Sequence, residues 1–482
     1  MLEHGIVILY YFFFFFIILF SIGQLALLIT FLFNRKKEYH LNKTFELPSL
    51  TIQLPVYNER FVIERLLDSV EKLNYPKNRL EIQVLDDSTD DTRTIAAKRV
   101  EQLKTLGFNI QHIHRSNREG YKAGALQNGL ICASSDYLAI FDADFVPYPD
   151  FLIDTLPYFT DKQTGMVQTR WGHLNAMQSL LTRAQATGLN NHFIIDQEGR
   201  NKGGYFINFN GTAGIWKKEC IVDAGGWNSD TLTEDLDLSY RAQIKGWKFN
   251  YCPTIIIPAE LPDRISAVRT QQFRWTKGGV ETSKKLLGKL WKAKLSLTVK
   301  LFGSFHLLNN YIYAFVLISA LLSVPLMFVK NTSTEFDQLF KWNTIIMTVM
   351  LINFLYCFTA ILVDKKKFIA ALIEVITAFP LALILSLGMS YHNTRAIFQG
   401  ILGKKTAFIR TPKISESGGI NPYLKTPGYK KYTPELLLFL YFLFAACSGI
   451  YFKDFGFLIY HILMFSGFGF VLWSAWSETS EN

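Results

Sequence analysis

The chain is predicted to be an α/β protein, a mostly parallel sheet covered by helices, embedded in an α-helical multi-span membrane domain. Three observations predict it. Long apolar runs lie towards both ends of a 482-residue chain that is 49% hydrophobic, enough for one soluble domain and several spans. Between them, from Ser49 to about Ile257, short strand-like runs alternate with helical ones. Each strand-like run ends in a polar loop, which is where such sheets bind ligands.

The first apolar run, Gly5 to Phe33, includes Phe12 to Phe16 and is followed at once by Asn34-Arg-Lys-Lys37. It is too long and too aromatic for a cleaved signal peptide and has no small-residue cleavage site behind it. Residues 1–34 therefore read as a membrane anchor whose basic flank is cytoplasmic, so the domain over 35–264 starts inside the cell.

Within that domain, Ser49–Leu54, Leu80–Leu85 and Tyr137–Phe141 are expected as strands. Arg60–Leu73, Thr92–Leu106 and Lys122–Ala133 are expected as the helices between them. The strands end in Pro55-Val-Tyr-Asn-Glu59, Asp86-Asp-Ser-Thr-Asp-Asp91 and Asp142-Ala-Asp144. Two carboxylates one residue apart at the tip of a buried strand can ligate a hard divalent cation that also takes phosphate oxygens. The three loops together can hold the base and ribose of a nucleotide, with Tyr57 as a stacking face and Asp86 or Asp87 as an acceptor.

After residues 265–306, a basic amphipathic stretch, come apolar segments at about 308–329, 343–363, 368–390, 435–452 and 454–475. If all five crossed, the basic loop from Arg395 to Lys431 would face outward, and Lys365-Lys-Lys367 also marks the inside. Segment 368–390 is therefore expected to lie along the interface. That gives five spans: one at 1–34, two in 307–364 and two in 434–482, with an interfacial helix and cytoplasmic loop over 365–433.

The net charge of +10 comes from basic residues beside these spans, so no nucleic-acid partner is expected. Five cysteines with no CxxC pair fit a reducing compartment, and indicate neither a zinc site nor a disulfide framework.

Eight ordered motifs then carry a resemblance. Pro55-Val-Tyr-Asn-Glu59, Val84 to Asp90, Arg118 to Leu126, Asp142-Ala-Asp144, Gln168-Thr-Arg-Trp171, Phe209 to Gly214, Thr233-Glu-Asp235 and Gln271-Gln-Phe-Arg-Trp275 follow one another in this order along the chain. Together they resemble the family 2 membrane glycosyltransferases: cellulose synthase, hyaluronan synthase and the cellulose-synthase-like mannan and glucan synthases. The resemblance implies a GT-A (Rossmann-like) domain that passes a hexose from a UDP- or GDP-sugar, with inversion, to a β-linked glycan exported through the membrane. A glycolipid-forming transferase is the alternative.

The resemblance also implies the roles. Pro55, Tyr57, Glu59, Asp86, Lys122 and Arg274 serve the nucleotide, as do Asp142 and Asp144, which also hold Mg²⁺ or Mn²⁺. Asn210, Gly211, Thr212, Glu234, Gln271 and Trp275 serve the acceptor, and Asp235 is the catalytic base. A base suffices for inversion, since it need only take the proton of the attacking hydroxyl.

Thr231-Leu-Thr-Glu234 matches a capping box, and Leu236, Tyr240 and Ile244 form an apolar stripe, which places Asp235 in the first turn of a helix. The helix dipole there would lower its basicity, so burial or substrate must compensate. Arg274 offers planar donors for a diphosphate and Trp275 an apolar face for a pyranose. Asn210 stands where cellulose synthases have cysteine, as in the mannan and glucan synthase-like branch.

Phe408-Ile-Arg-Thr-Pro-Lys413 resembles the gating loop Phe-x-Val-Thr-x-Lys of cellulose synthases. Phe408, Thr411 and Lys413 match it and Arg410 replaces the valine. Expected partners are the donor, a growing polysaccharide or lipid acceptor and membrane lipids, with any export partner left open. The expected location is a bacterial inner (plasma) membrane with the active site cytoplasmic.

Overall fold

The computed structural model describes residues 1–37, 41, 46–341, 345–411 and 428–480. Its catalytic domain is built on seven strands: β1 (Leu50–Val56), β2 (Leu80–Asp86), β3 (Asn109–His114), β4 (Tyr137–Ile140), β5 (Thr164–His173), β6 (Gly214–Lys217) and β7 (Lys248–Ala259). They are ordered β3-β2-β1-β4-β6-β5-β7, with β6 antiparallel to both neighbours.

Both faces of β1 are buried, as a central parallel strand requires. Leu50, Ile52 and Leu54 enter one core, while Thr51 and Gln53 on the other face pair across the strands with Glu81 at 2.9 Å and Gln83 at 3.0 Å. Val56 is level with Asp86, and the amide of Phe141 continues from β1 by donating to the Gln53 carbonyl. The ends of β1, β2 and β4 therefore open on one edge of the sheet.

The helices Ile63–Glu71, Thr92–Thr105 and Tyr121–Cys132 lie where the apolar periodicity places them. The first starts three residues later than expected, because Asn58 takes a left-handed conformation (φ 55°) and the chain turns before entering the helix.

Among the described residues, six helical segments are long and apolar enough to cross a membrane: Leu2–Asn34, Leu297–Thr332, Asp337–Lys365, Phe368–Gly388, Lys430–Tyr451 and Phe455–Thr479. The first docks on the catalytic domain through Leu28 and Phe31, which pack with Ile194 and Ile195. The 28-residue helix Ile265–Lys292 buries Val280, Leu286 and Leu290 and carries lysines 284, 285, 289 and 292.

Two of the long apolar helices touch the catalytic domain by polar contacts: Arg170 of β5 pairs with Asp364, near the end of Ile345–Lys365, at 2.7 Å, and Arg183 donates to Thr377, in the middle of Phe368–Gly388, at 2.6 Å. The far end of Phe368–Gly388 continues into Ser390–Ile401, which packs on Ile265–Lys292.

Candidate active site

The strand-end loops enclose a cavity of about 170 Å³ together with residues from Glu234–Ile244, Ile265–Lys292 and the loop after Ser390–Ile401. Pro55, Tyr57, Glu59, Lys122, Asp142, Asp144, Asn210, Gly211, Glu234, Asp235, Gln271, Arg274, Trp275, Phe408 and Thr411 all line it. Thr212 lies just behind the wall, where its hydroxyl accepts the Asp142 amide at 2.9 Å. Lys413 lies outside the described residues.

Asp86 departs from its expected position. Its carboxylate is fully buried below the cavity, taking His112 Nε2 at 2.7 Å and the Ser88 amide at 2.8 Å. Burial alone would raise its pKa, but the bonds from His112 and Ser88 outweigh that and hold it below the usual range. Asp87 lines the cavity in its place and is clamped by Arg115. The two adjacent aspartates look equivalent in the sequence. The pleat sends consecutive side chains to opposite faces, which separates them.

Lys122 sits in the first turn of Tyr121–Cys132 and donates to Asp142 Oδ1 at 2.6 Å and to the Gly211 carbonyl at 2.9 Å. Burial would lower its pKa, but Asp142, Glu234 and Asp235 outweigh it and hold the ammonium above its usual range. Gly211 has φ 81°, and a Cβ there would stand 3.1 Å from Asp235 Oδ2 and 3.4 Å from Lys122 Nζ. Conformation and space both require glycine between base and lysine.

Asp235 lies in the first turn of its helix, but not through a capping box. Thr233 occupies the N-cap, its hydroxyl turned to Thr282 at 3.1 Å, and Asp235 Oδ1 accepts the Leu236 amide at 2.8 Å. Leu236, Tyr240 and Ile244 pack together against Leu286 and Leu290 as the stripe predicts. Burial pushes Asp235 up to about 7, Glu234 pushes the same way, and Lys122 opposes them. Burial outweighs the dipole and restores the basicity that the helix terminus would remove. Glu234 is raised as well, again by burial first.

Several contributors were missed in the sequence. Arg118 stacks 3.4 Å above the Tyr57 ring, and Arg274 lies 4.4 Å from the ring of Phe408 and donates to the Ile409 carbonyl at 3.1 Å. Lys277, fully buried, holds Thr406 at 2.6 Å. Arg410 pairs with Glu59 at 2.5 Å, both side chains only 12% exposed, so the residue that departs from the gating-loop pattern ties that loop to the end of β1. Arg118 lies inside a quoted motif. Lys277 is one turn beyond Arg274 on the same helix, and nothing in its type announced a site.

Removing one partner of such a buried pair leaves a charge uncompensated, whereas removing both is nearly neutral. Glu59→Gln is therefore expected to speed tryptic cleavage at Lys404 and Lys405 by roughly fivefold or more, and Glu59→Leu with Arg410→Leu to return it towards wild type. Equal cleavage rates in all three proteins would show that the pair does not hold the loop.

This sheet and the carboxylate-rich cavity at its edge define a glycosyltransferase with a GT-A domain. Residues 48–278 match the family described as glycosyltransferase like family 2. Probable glucomannan 4-beta-mannosyltransferase 3 of Oryza sativa subsp. japonica is 33% identical over 416 residues, covering 83% of this chain and 73% of that protein. Probable glucomannan 4-beta-mannosyltransferase 10 of Arabidopsis thaliana is 30% identical over 451 residues, 88% of this chain and 78% of its own. Glucomannan 4-beta-mannosyltransferase 7 of the same plant is 40% identical over 271 residues, 55% of this chain and 48% of its own.

The chain belongs to family 2 of the glycosyltransferases, in the cellulose-synthase-like group of the glucomannan mannosyltransferases, and is a hexosyltransferase. The fold is shared with the mannosyltransferase PcManGT from Pyrobaculum calidifontis, solved in complex with GDP-Man and Mn²⁺. The TM-score is 0.57 at 18% identity, over 84% of this chain and 100% of that one. The curated relatives are plant enzymes, so the bacterial membrane expected from the sequence finds no support among them.

Proposed function

We propose that the protein transfers mannose from GDP-mannose, with inversion, to the growing end of a β-linked mannan or glucomannan and passes the polymer through its membrane bundle. One observation carries this reading: a single cavity brings Asp142, Asp144 and Lys122, read as serving the donor, together with Asp235, Gln271 and Trp275. The relatives' names support mannose as the sugar.

Asp142 and Asp144 fit a divalent cation. Among the described residues no three His, Cys, Asp or Glu side chains converge to bind one, so two carboxylates would leave the remaining positions to diphosphate oxygens and water, as Mg²⁺ and Mn²⁺ sites on nucleotides do. The ion would neutralise charge on the departing diphosphate. Lys122 and Arg274 place fixed positive charge beside the same group, and Arg118 with Tyr57 gives the base a flat bed. Asp235 takes the proton of the attacking hydroxyl, and Trp275 supports the acceptor ring.

A second cavity of about 310 Å³ lies among the long apolar helices and includes Ser21, Gln24, Asn309, Tyr313, Asn353 and Ser386 in an otherwise apolar wall. Hydroxyl and amide groups there suit a glycan and would be costly against lipid. A Cβ at Gly279, one turn beyond Trp275, would meet Asn310, the sequence neighbour of Asn309 in this cavity's wall.

The contact of Arg183 with Thr377, in the middle of Phe368–Gly388, supports an interfacial position for that helix and five spans rather than six. Cysteines introduced as Lys366→Cys and Lys404→Cys are expected to resist a membrane-impermeant reagent applied from outside. Labelling of either from that side would restore the sixth crossing. The activity itself is tested by offering GDP-mannose and UDP-glucose separately to purified protein and sizing the products. Long alkali-resistant β-glycan from GDP-mannose is expected; a lipid bearing one or two sugars would replace the synthase with the glycolipid enzyme.

A further inference from the structure

The wall that carries Asn210 is braced by a segment that no motif covers. Between the helices Leu180–Asn191 and Glu198–Lys202, residues His192–Gln197 form a π-turn, a widened turn that proteins keep mainly where function needs it. His192 and Gln197 of this turn reach the wall, Gln197 by donating to the Asn208 carbonyl at 2.8 Å, and Asp196 stands behind His192. His192 Nδ1 stands 3.4 Å from Asp196 Oδ2, and the hydroxyl of Tyr356 donates to Asp196 Oδ1. Tyr356 belongs to Ile345–Lys365, one of the long apolar helices. Burial would raise the pKa of Asp196, but His192, Arg200 and Tyr356 outweigh it and keep the carboxylate ionised.

The direction of each hydrogen bond follows from a backbone carbonyl, which can only accept. Asn208 Nδ2 donates to the Phe209 carbonyl at 3.1 Å, so the same nitrogen is the atom that meets Asn210 Oδ1 at 3.0 Å. That oxygen also lies 3.1 Å from His192 Nε2, which must therefore be the donor. With its oxygen engaged twice, Asn210 has only its amino group left for the cavity it lines; one hydrogen goes to the Asn208 carbonyl at 3.4 Å, which also accepts Gln197 at 2.8 Å, and the second remains for a ligand. The next residue, Gly211, accepts from Lys122, and Thr212 accepts from Asp142. The two residues after Asn210 thus have anchors of their own beside Lys122 and Asp142, apart from the π-turn.

We propose that His192, held by Asp196, is a positioning residue that presents the Asn210 amino group to a hydroxyl oxygen of the acceptor sugar, and that Tyr356 ties this unit to the membrane helices. The assignment rests on the function proposed above. It makes the acceptor side, and not the donor side, depend on the π-turn.

The test is a split of Michaelis constants. Wild-type protein is first run with GDP-mannose and UDP-glucose against manno- and cello-oligosaccharides, and the productive pair is used for the variants. His192→Phe is expected to raise KM for the oligosaccharide roughly tenfold while KM for the donor moves less than about twofold. His192→Gln, whose amide can still donate, is expected to restore acceptor KM to within about threefold of wild type. Tyr356→Phe is expected to shift it in the same direction by about threefold.

Unchanged acceptor KM in His192→Phe, equal rises for donor and acceptor, or failure of the glutamine variant to rescue would each overturn the assignment while leaving the transferase reading intact. If His192→Phe does not fold, the glutamine and Tyr356→Phe variants decide by the same split. No product from the wild type with any pair would instead overturn the proposed function and this assignment with it.

Discussion

Asp235→Asn is expected to lower kcat by ~10²–10⁴, the usual worth of a general base, while donor Kd stays within about threefold. The reason is positional. Asp235 stands across Gly211 from Lys122 and acts on its charge through space, whereas the ammonium itself is bonded to Asp142 and the Gly211 carbonyl. Its amide replacement keeps the shape and the bond from Leu236 but cannot take a proton. Asp144→Asn, by contrast, should weaken donor binding as well as turnover. Calorimetry with the nucleotide sugar separates the two, and an Asp235→Asn enzyme within a few fold of wild type would remove the base assignment.

The same carboxylate sets a pH dependence. An acid raised to about 7 is protonated, and useless as a base, below that pH. The kcat/KM of the wild type should therefore rise with pH through about 7, losing about tenfold per unit on the acid side. The residual activity of Asp235→Asn should lack this limb.

How much of this was legible beforehand divides along a physical line. Strands β1, β2 and β4 were readable because each is a compact apolar run ending in a polar loop, and residues of those three loops line the cavity. β3, β5, β6 and β7 were not identified: the exposed and half-buried positions of β3 and the irregular burial of β7 blur both periodicities. Asp235 was placed in a first turn correctly for a reason that did not hold, since Thr233 and not Thr231 begins the helix.

Its raised pKa could not be read at all, because burial by residues distant in sequence decides it. The pairing of Arg410 with Glu59 joins positions about 350 residues apart, and no local pattern encodes that. His192 and Asp196 were invisible for a further reason: a π-turn breaks the 3.6-residue spacing on which helical reading depends.

Trp275→Ala is expected to convert a polymerase into an enzyme that makes short products. Trp275 lines the cavity, on the helix whose Gly279, one turn later, faces Asn310, and the proposed function gives it the acceptor sugar. A chain-extending enzyme must hold the new terminal sugar there after every addition, so product length reflects the ratio of addition to release. An indole face under a pyranose supplies apolar contact that tolerates either orientation of the ring. Losing ~2 kcal/mol of it would speed release roughly thirtyfold and shorten the product by a similar factor.

Donor hydrolysis should continue slowly, since Lys122, Asp142 and Asp144 are untouched. Sizing the products of wild type and variant under donor excess measures this directly. Full-length polymer from Trp275→Ala would show that the glycan is held elsewhere along the path, and would shift the search for its grip to the polar side chains of the membrane cavity.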